Sequence, residues 1–282
     1  MPIEVFAMVL CAALVHATWN ALVKADGDRL AFMKIMVMTQ AAVSLLLLPF
    51  VAFPAAEAWP YLIASAILGV GYVLFLIQAY RWGDLSHVYP LARGIAPLIV
   101  AAVSVVLLGE QLSRLSEIAI LLVGLGITSL ALTRGVEGLR DLRMVGFALG
   151  TGGFIAGYTV LDGLGARASG SAHGYTAWIS LISCSLITAA ITWLQKRNGT
   201  GPVTRRTRIA GITSGLASYV STWMIIWAMT VVPVPLVSAL RETSIVFAVV
   251  IGVVFLKERL NLARLASIAA TLVGTAILKF SR

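Results

Sequence analysis

Charge is what this sequence most lacks. Only 12% of its 282 residues are Asp, Glu, Lys or Arg, whereas a soluble domain carries roughly 25%. Its two cysteines, Cys11 and Cys184, lie inside apolar runs without the spacing of a zinc site or a disulfide framework. No P-loop, His-Glu-x-x-His motif or nucleophile elbow is present either. These absences argue against a water-soluble fold and leave no sign of an enzyme, so we expect no cofactor and no metal.

Long apolar runs are what the chain has instead. Hydrophobic residues make up 60% of it, and the mean hydropathy is +0.96. About 20 consecutive apolar residues cross a bilayer as a helix, whereas a transmembrane β-barrel would show alternating segments of roughly ten residues. The sequence therefore predicts an all-α integral membrane protein. The ten predicted spans are Ile3 to Val23, Leu30 to Phe53, Trp59 to Tyr80, Leu85 to Leu108, Leu112 to Leu132, Leu142 to Leu164, Tyr175 to Leu194, Ile209 to Val232, Pro233 to Leu256 and Leu262 to Phe280.

Basic residues divide unequally between the two faces of these spans. Of the 21, four fall on one face: Arg114, Arg167, Lys279 and Arg282. Fifteen fall on the other: Lys24, Arg29, Lys34, Arg81, Arg134, Arg140, Arg143, Lys196, Arg197, Arg205, Arg206, Arg208, Lys257, Arg259 and Arg264. The positive-inside rule makes the second face cytoplasmic, which places both termini outside, in the periplasm of a cell with an inner membrane. The basic residues form no extended surface, so nucleic acid is not an expected partner.

The two halves of the chain repeat each other. Shifting the sequence by 148 residues places Arg93 on Arg241, Glu110 on Glu258 and Gly126 on Gly274 without a gap. We interpret residues 1–134 and 135–282 as two units of five spans each. Because five is odd, the second unit must cross the membrane upside down relative to the first. The predicted fold is thus ten transmembrane helices in two inverted five-helix repeats, a plan that places a substrate site near the midplane.

Two paired segments carry a resemblance to a known family. YPLARGIAPLIVAAVSVVLLGEQL and LVSALRETSIVFAVVIGVVFLKERL, each followed by a glycine-bearing helix, resemble the EamA repeats of the drug/metabolite transporter superfamily. Trp19, Asn20 and Lys24 in the first span also fit. The resemblance covers nearly the whole chain and implies a ten-helix bundle. For members similar to the YddG-type amino-acid exporters, it further implies outward movement of amino acids and related metabolites.

Three charged residues lie deep inside predicted spans, where each needs a partner or a function. Arg93 is eight residues into span four, and Arg241 and Glu242 are equally far into span nine. One interpretation is that the arginines bind an anionic group of a substrate, such as a carboxylate, and that Glu242 meets a cation or a proton. The other is a structural ion pair between Arg93 and Glu242, or an arginine that snorkels along its helix.

Prolines accompany these charges. Pro90 and Pro97 lie in span four, and Pro233 and Pro235 open span nine. Pro97 has no amide hydrogen for the carbonyl of Arg93. We therefore predict a bend or break beside Arg93, the alternative being an ordinary proline kink.

Aromatic and amide side chains supply further candidates for a substrate site. They are Trp19, Asn20, Tyr80, Tyr89, Tyr158, Trp223 and Trp227. Trp223 and Trp227 share one helical face with Tyr219, a spacing that suits either packing or a cavity wall that contacts an ammonium.

Together these features predict an inner-membrane exporter of amino acids or similar small metabolites that works by alternating access. The alternatives are an exporter of amphipathic drugs, nucleosides or sugars, and, from another class, a membrane-embedded transferase. The expected partners are a small-molecule substrate and membrane lipids, and a monomer is sufficient for this plan.

Overall fold

A computed structural model describes residues 1–25, 28–131, 141–198, 203–256 and 262–281. Within these ranges the chain forms helices and turns, with no strand. The α-helices are α1 (Ile3–Ala25), α2 (Arg29–Leu47), α3 (Trp59–Trp82), α4 (Leu85–Val106), α5 (Arg114–Ser129), α6 (Leu142–Ala168), α7 (Ala172–Asn198), α8 (Arg205–Val231), α9 (Val234–Arg241), α10 (Ser244–Leu256) and α11 (Leu262–Phe280). The proposed boundary between residues 134 and 135 lies outside the described residues, as do Arg134, Arg140, Lys257, Glu258, Arg259 and Arg282.

The eleven described α-helices occupy ten spans, because α9 and α10 share span nine. Eight segments are long and apolar enough to cross a membrane by themselves. The other two spans are shorter. Helix α5 has 16 residues, and the apolar part of α11 is Leu265–Phe280. The prediction of an all-α integral membrane protein is confirmed.

The outside of the bundle is apolar. Phe50 is 83% exposed, Val106 77% and Leu46 72%. Side chains of this kind are stable on a protein surface when hydrocarbon surrounds it, and every backbone group of a membrane helix is satisfied within the helix. The exposed surface therefore fits a multi-pass membrane protein.

Helix packing repeats between the two halves. The equivalent helices of the two repeats are α1 and α6, α2 and α7, α3 and α8, α4 and the pair α9 and α10, and α5 and α11. Helix α3 packs on α6, and the equivalent pair α8 and α1 is also in contact. In the same way α2 packs on α8, and α7 packs on α3. Helix α4 packs on α6, as α9 and α10 do on α1. The pairs α2–α7 and α5–α11 are their own counterparts, so the pseudo-two-fold axis passes through them. This pattern confirms the inverted-repeat prediction.

Small residues make the α5–α11 contact close. Gly126 and Gly274 are equivalent positions in the two repeats. A Cβ atom on Gly126 would lie 3.2 Å from the carbonyl oxygen of Ser267, and one on Gly274 would lie 2.8 Å from that of Ala119. Close backbone approach of this kind is typical of helix association in membranes.

Both termini lie at the same end of the bundle. The ammonium of Met1 donates a hydrogen bond to the carbonyl of Ser281 at 2.8 Å, as an even number of spans requires. Trp59 packs there against Phe53 and Trp178, with ring centroids 5.5 and 5.2 Å away, in keeping with an aromatic belt. We call this end the terminal face. Its side of the membrane stays a prediction.

Candidate functional site

A buried ion pair joins the two repeats. Arg93 Nε of α4 lies 2.9 Å from Glu242 Oε2, and the side chains are 8% and 0% exposed. Arg93 Nη2 also donates to Ser244 Oγ at 3.3 Å. Of the two interpretations of these charges, the structure therefore contains the ion pair. Its two residues are 149 positions apart in the sequence.

A helix break places Glu242 opposite Arg93. The amides of Glu242 and Thr243 bond to carbonyls three residues back, those of Ala239 and Leu240, each at 3.1 Å. The Thr243 hydroxyl also donates to the Leu240 carbonyl, at 2.8 Å. Helix α9 consequently ends at Arg241, and α10 begins at Ser244. The Glu242 carboxylate thus lies at the N-terminus of α10, where the helix dipole favours negative charge.

This break differs in place from the predicted one. Span nine was predicted as one helix and is two, whereas α4 runs without interruption from Leu85 to Val106, through both Pro90 and Pro97. Of the bend or break predicted beside Arg93 in span four, the break is therefore wrong, and the bend stays a prediction. Pro97 removes one amide, and the turns on either side continue the helix.

Arg241 has weaker hydrogen-bond and ion-pair contacts than Arg93. Its Nε lies 3.8 Å from Glu242 Oε1, and its side chain is 14% exposed. Within the described ranges its Nε and Nη2 have no hydrogen-bond acceptor, and neither Glu242 oxygen receives a well-directed hydrogen bond. The short contact of Arg93 with Glu242 is thus a charge contact more than a linear hydrogen bond. A guanidinium with free N–H groups in a low-dielectric site can bind a carboxylate in a fork-like pair.

Aromatic side chains surround these charges. The guanidinium of Arg93 lies 5.9 Å from the ring centre of Tyr89, a cation-π contact. Tyr158 of α6 meets Tyr72 of α3 edge to face, with centroids 6.1 Å apart. The charges of both arginines reach Tyr158 and His16. Helices α1, α3, α4, α6 and α9 thus converge on one polar centre.

Asp162 is the residue that sequence reasoning missed. It lies on α6, one turn from Tyr158, and its Oδ1 accepts hydrogen bonds from Ser65 Oγ at 2.6 Å and Tyr175 Oη at 3.1 Å. A carboxylate inside a span is a functional candidate by default. That criterion, applied to span six as it was to spans four and nine, would have found it.

The described contacts of the other predicted site residues are with residues other than Arg93, Arg241 and Glu242. Trp19 packs against a cluster that contains Phe32, and Asn20 donates to the carbonyl of His16 in its own helix at 2.8 Å. Trp223 meets the ring of His173, with centroids 5.2 Å apart. Trp227 packs on the hydrophobic core, and Tyr80 is 37% exposed near the end of α3. In the described part of the chain, no hydrogen bond joins any of the three tryptophans to the buried charges.

A second polar cluster ties helix ends together at the terminal face. Arg167, at the end of α6, donates from Nε to the carbonyl of Met229 and from Nη2 to that of Val232, both at 2.9 Å. Its Nη1 lies 3.1 Å from Glu110 Oε1. These bonds satisfy free carbonyls at the end of α8 and link them to the segment after α4. We call this group the Arg167 tether.

The fold and the charged centre together define a class: a polytopic membrane transporter whose two inverted halves enclose a polar site. The chain belongs to the EamA-like transporter family, whose model matches residues 4–132 and 142–280. It is thereby a membrane transporter of the drug/metabolite superfamily.

One solved structure, titled only "Crystal structure of protein", has a TM-score of 0.79 with this chain at 17% identity. The match covers 98% of this chain and 97% of that one, and it supports the fold alone. No curated protein matches the sequence.

Proposed function

We propose that this protein exports amino acids or closely related small metabolites across the inner membrane, holding them between the repeats beside Arg93, Arg241 and Glu242. The observation that carries the proposal is the guanidinium of Arg241, which is largely buried and has two nitrogens without an acceptor among the described residues. A substrate carboxylate supplies the missing acceptor. Arg93 then holds Glu242 and Ser244 in place and supports the site.

Tyr89 and Tyr158 complete this site in the proposal, as aromatic walls beside the arginines. Trp19, Asn20, Tyr80, Trp223 and Trp227 stay predictions as further substrate-binding residues. The outward direction rests on the family resemblance, and the orientation with both termini outside rests on fifteen basic residues against four.

Counterflow in proteoliposomes tests the proposal. Purified protein is reconstituted with internal unlabelled compound and challenged with labelled amino acids, nucleosides, sugars and an amphipathic cation. We expect exchange for amino acids. Exchange confined to nucleosides, sugars or the cation would replace the proposed substrate class, and chemical turnover without counterflow would favour a transferase.

Alternating access is the proposed mechanism, with the Arg167 tether as the closure at the terminal face. A cysteine at Leu236, which is 6% exposed in this state, should be protected from an impermeant thiol reagent until the tether opens. Transported substrate should change the labelling rate to the extent that it binds the two states unequally. Access to the site from both faces at once would indicate a channel and contradict the mechanism.

Orientation is testable in intact cells. Single cysteines at Arg205, Arg206 or Arg208, all exposed at the start of α8, should resist impermeant thiol reagents because we place them in the cytoplasm. Rapid labelling from outside would reverse the topology. A control cysteine at Glu57, on the terminal face, should label readily.

A further inference from the structure

Asp162 is the buried charge that the proposed site has not yet used. It accepts two hydrogen bonds at Oδ1, both from neutral hydroxyl groups. In the described part of the chain, no Lys or Arg lies within ion-pair distance of Asp162. Glu242, by contrast, has Arg93 at 2.9 Å. A carboxylate in a membrane span without a cationic partner is costly, so a function for it is the default hypothesis.

Position links Asp162 to Arg241. Helices α6 and α9 are in contact, with Gly163 against Val234. Arg241 lies seven residues farther along α9 than Val234, roughly 10 Å deeper at 1.5 Å per residue. Tyr158 is one turn deeper than Asp162 on α6 and interacts electrostatically with both Arg241 and Asp162. Asp162, Tyr158 and Arg241 therefore lie at increasing depth from the terminal face, with the acidic residue outermost.

Asp162 keeps part of its surface accessible. It is deep inside the protein, yet part of its surface remains accessible, as it does for Tyr158 and Arg241. Among the described residues its Oδ2 has no hydrogen-bond donor, and it is not sealed from solvent. The oxygen that is free to bind a ligand is thus the accessible Oδ2.

We propose that Asp162 binds the ammonium group of the substrate while Arg241 binds its carboxylate, so that the site selects zwitterionic amino acids. The inference rests on the proposed function and adds the residue that recognises the amine. Ser65 and Tyr175 are positioning residues that hold Oδ1 and turn Oδ2 toward the ligand.

Removing the charge while keeping the hydrogen bonds tests this role. In Asp162→Asn the amide oxygen can still accept from Ser65 and Tyr175, so the fold should persist. The probes are the amino acid that gives the fastest wild-type counterflow, its deaminated acid and its carboxamide, each used as a competitor. In the wild type, removal of the amine should weaken competition about tenfold or more, because the site is left with an unpaired buried polar group. In Asp162→Asn the amino acid and the deaminated acid should compete equally.

Matched variants separate recognition from support. Ser65→Ala removes the 2.6 Å hydrogen bond but leaves the carboxylate, and it should reduce the preference for the amine without abolishing it. Glu57→Gln, a charge change at the terminal face outside the site, should behave as wild type. If Asp162→Asn retains the preference, or weakens all three probes equally, the assignment of the ammonium to Asp162 is wrong. If no amino acid exchanges in the wild type, the proposed function itself fails, which is a different result.

Discussion

Span four and span nine are copies of one segment, and they fold differently. Helix α4 is continuous although Pro97 lies inside it, whereas span nine divides after Arg241 although no proline lies at the division. The residues of span nine at the break are Glu242, Thr243 and Ser244; their counterparts in span four are Gly94, Ile95 and Ala96. Consecutive polar side chains can bond to nearby backbone groups and so offer an alternative to the helix.

The difference assigns each copy a separate task. In span nine the break frees Glu242 to meet Arg93 across the repeat interface. In span four, Gly94 occupies the position equivalent to Glu242 and lies against α5, where a Cβ atom would be 2.6 Å from the amide of Thr128. An inverted duplication thus supplied two similar helices, which differ at this equivalent position: Gly94 makes a packing contact in one, and Glu242 carries a buried charge in the other.

The largest effect on the free energy of unfolding is expected for Arg93→Ala. It leaves the fully buried Glu242 without its closest partner, and we expect a loss of about 3–5 kcal/mol. Thermal unfolding of the purified protein measures the change. Exchange of the two charges, Arg93→Glu with Glu242→Arg, should recover part of the loss, and wild-type stability of Arg93→Ala would show that the pair holds nothing together.

A smaller loss is expected for Gly94→Ala. The new methyl group would meet backbone atoms of α5, the amide of Thr128 at 2.6 Å and the carbonyl of Gly124 at 2.8 Å. Overpacking against backbone costs about 1–3 kcal/mol. Gly153→Ala is the matched control, because a Cβ there meets nothing within 4 Å. Equal melting of both variants would remove the packing role of span four.

The next largest loss in the free energy of unfolding, about 1 kcal/mol, is expected for Arg167→Gln. The hydrogen bonds that it removes are partly exposed, and the neutral carbonyls can form hydrogen bonds with water or lipid headgroups instead. Its clearer effect should be on conformation. Labelling of a cysteine at Leu236 should become faster, since the tether that closes the terminal face is weakened. An unchanged labelling rate would indicate that the tether caps α8 without gating access.

The smallest effect on stability is expected for Arg241→Ala, less than about 1 kcal/mol, because its contact with Glu242 is 3.8 Å long and its Nε and Nη2 have no hydrogen-bond acceptor among the described residues. Transport of a carboxylate-bearing substrate should nevertheless be lost. Arg241→Lys keeps the charge without the bidentate geometry and should retain part of the transport. If Arg241→Ala melts as early as Arg93→Ala, both arginines are structural.

Much of the fold was predictable because its signals are local. Hydrophobic length gave the spans, and the 148-residue repeat, with five spans per copy, gave the inversion. The site was only partly predictable. Arg93, Arg241 and Glu242 were recognised as expensive charges in apolar segments, but Asp162 was overlooked. Trp19 and Trp223 were selected by residue type, and their rings contact His16 and His173.

The sequence by itself determined that this protein is a membrane-spanning helical bundle with two inverted halves, since apolar length and periodicity act within a segment and depend little on its neighbours. Tertiary structure alone decided that Glu242 lies 2.9 Å from Arg93 and 3.8 Å from Arg241. That choice depends on where α9 ends and which helix faces the break. These are properties of packing between segments roughly 150 residues apart, and no pattern along either segment records them.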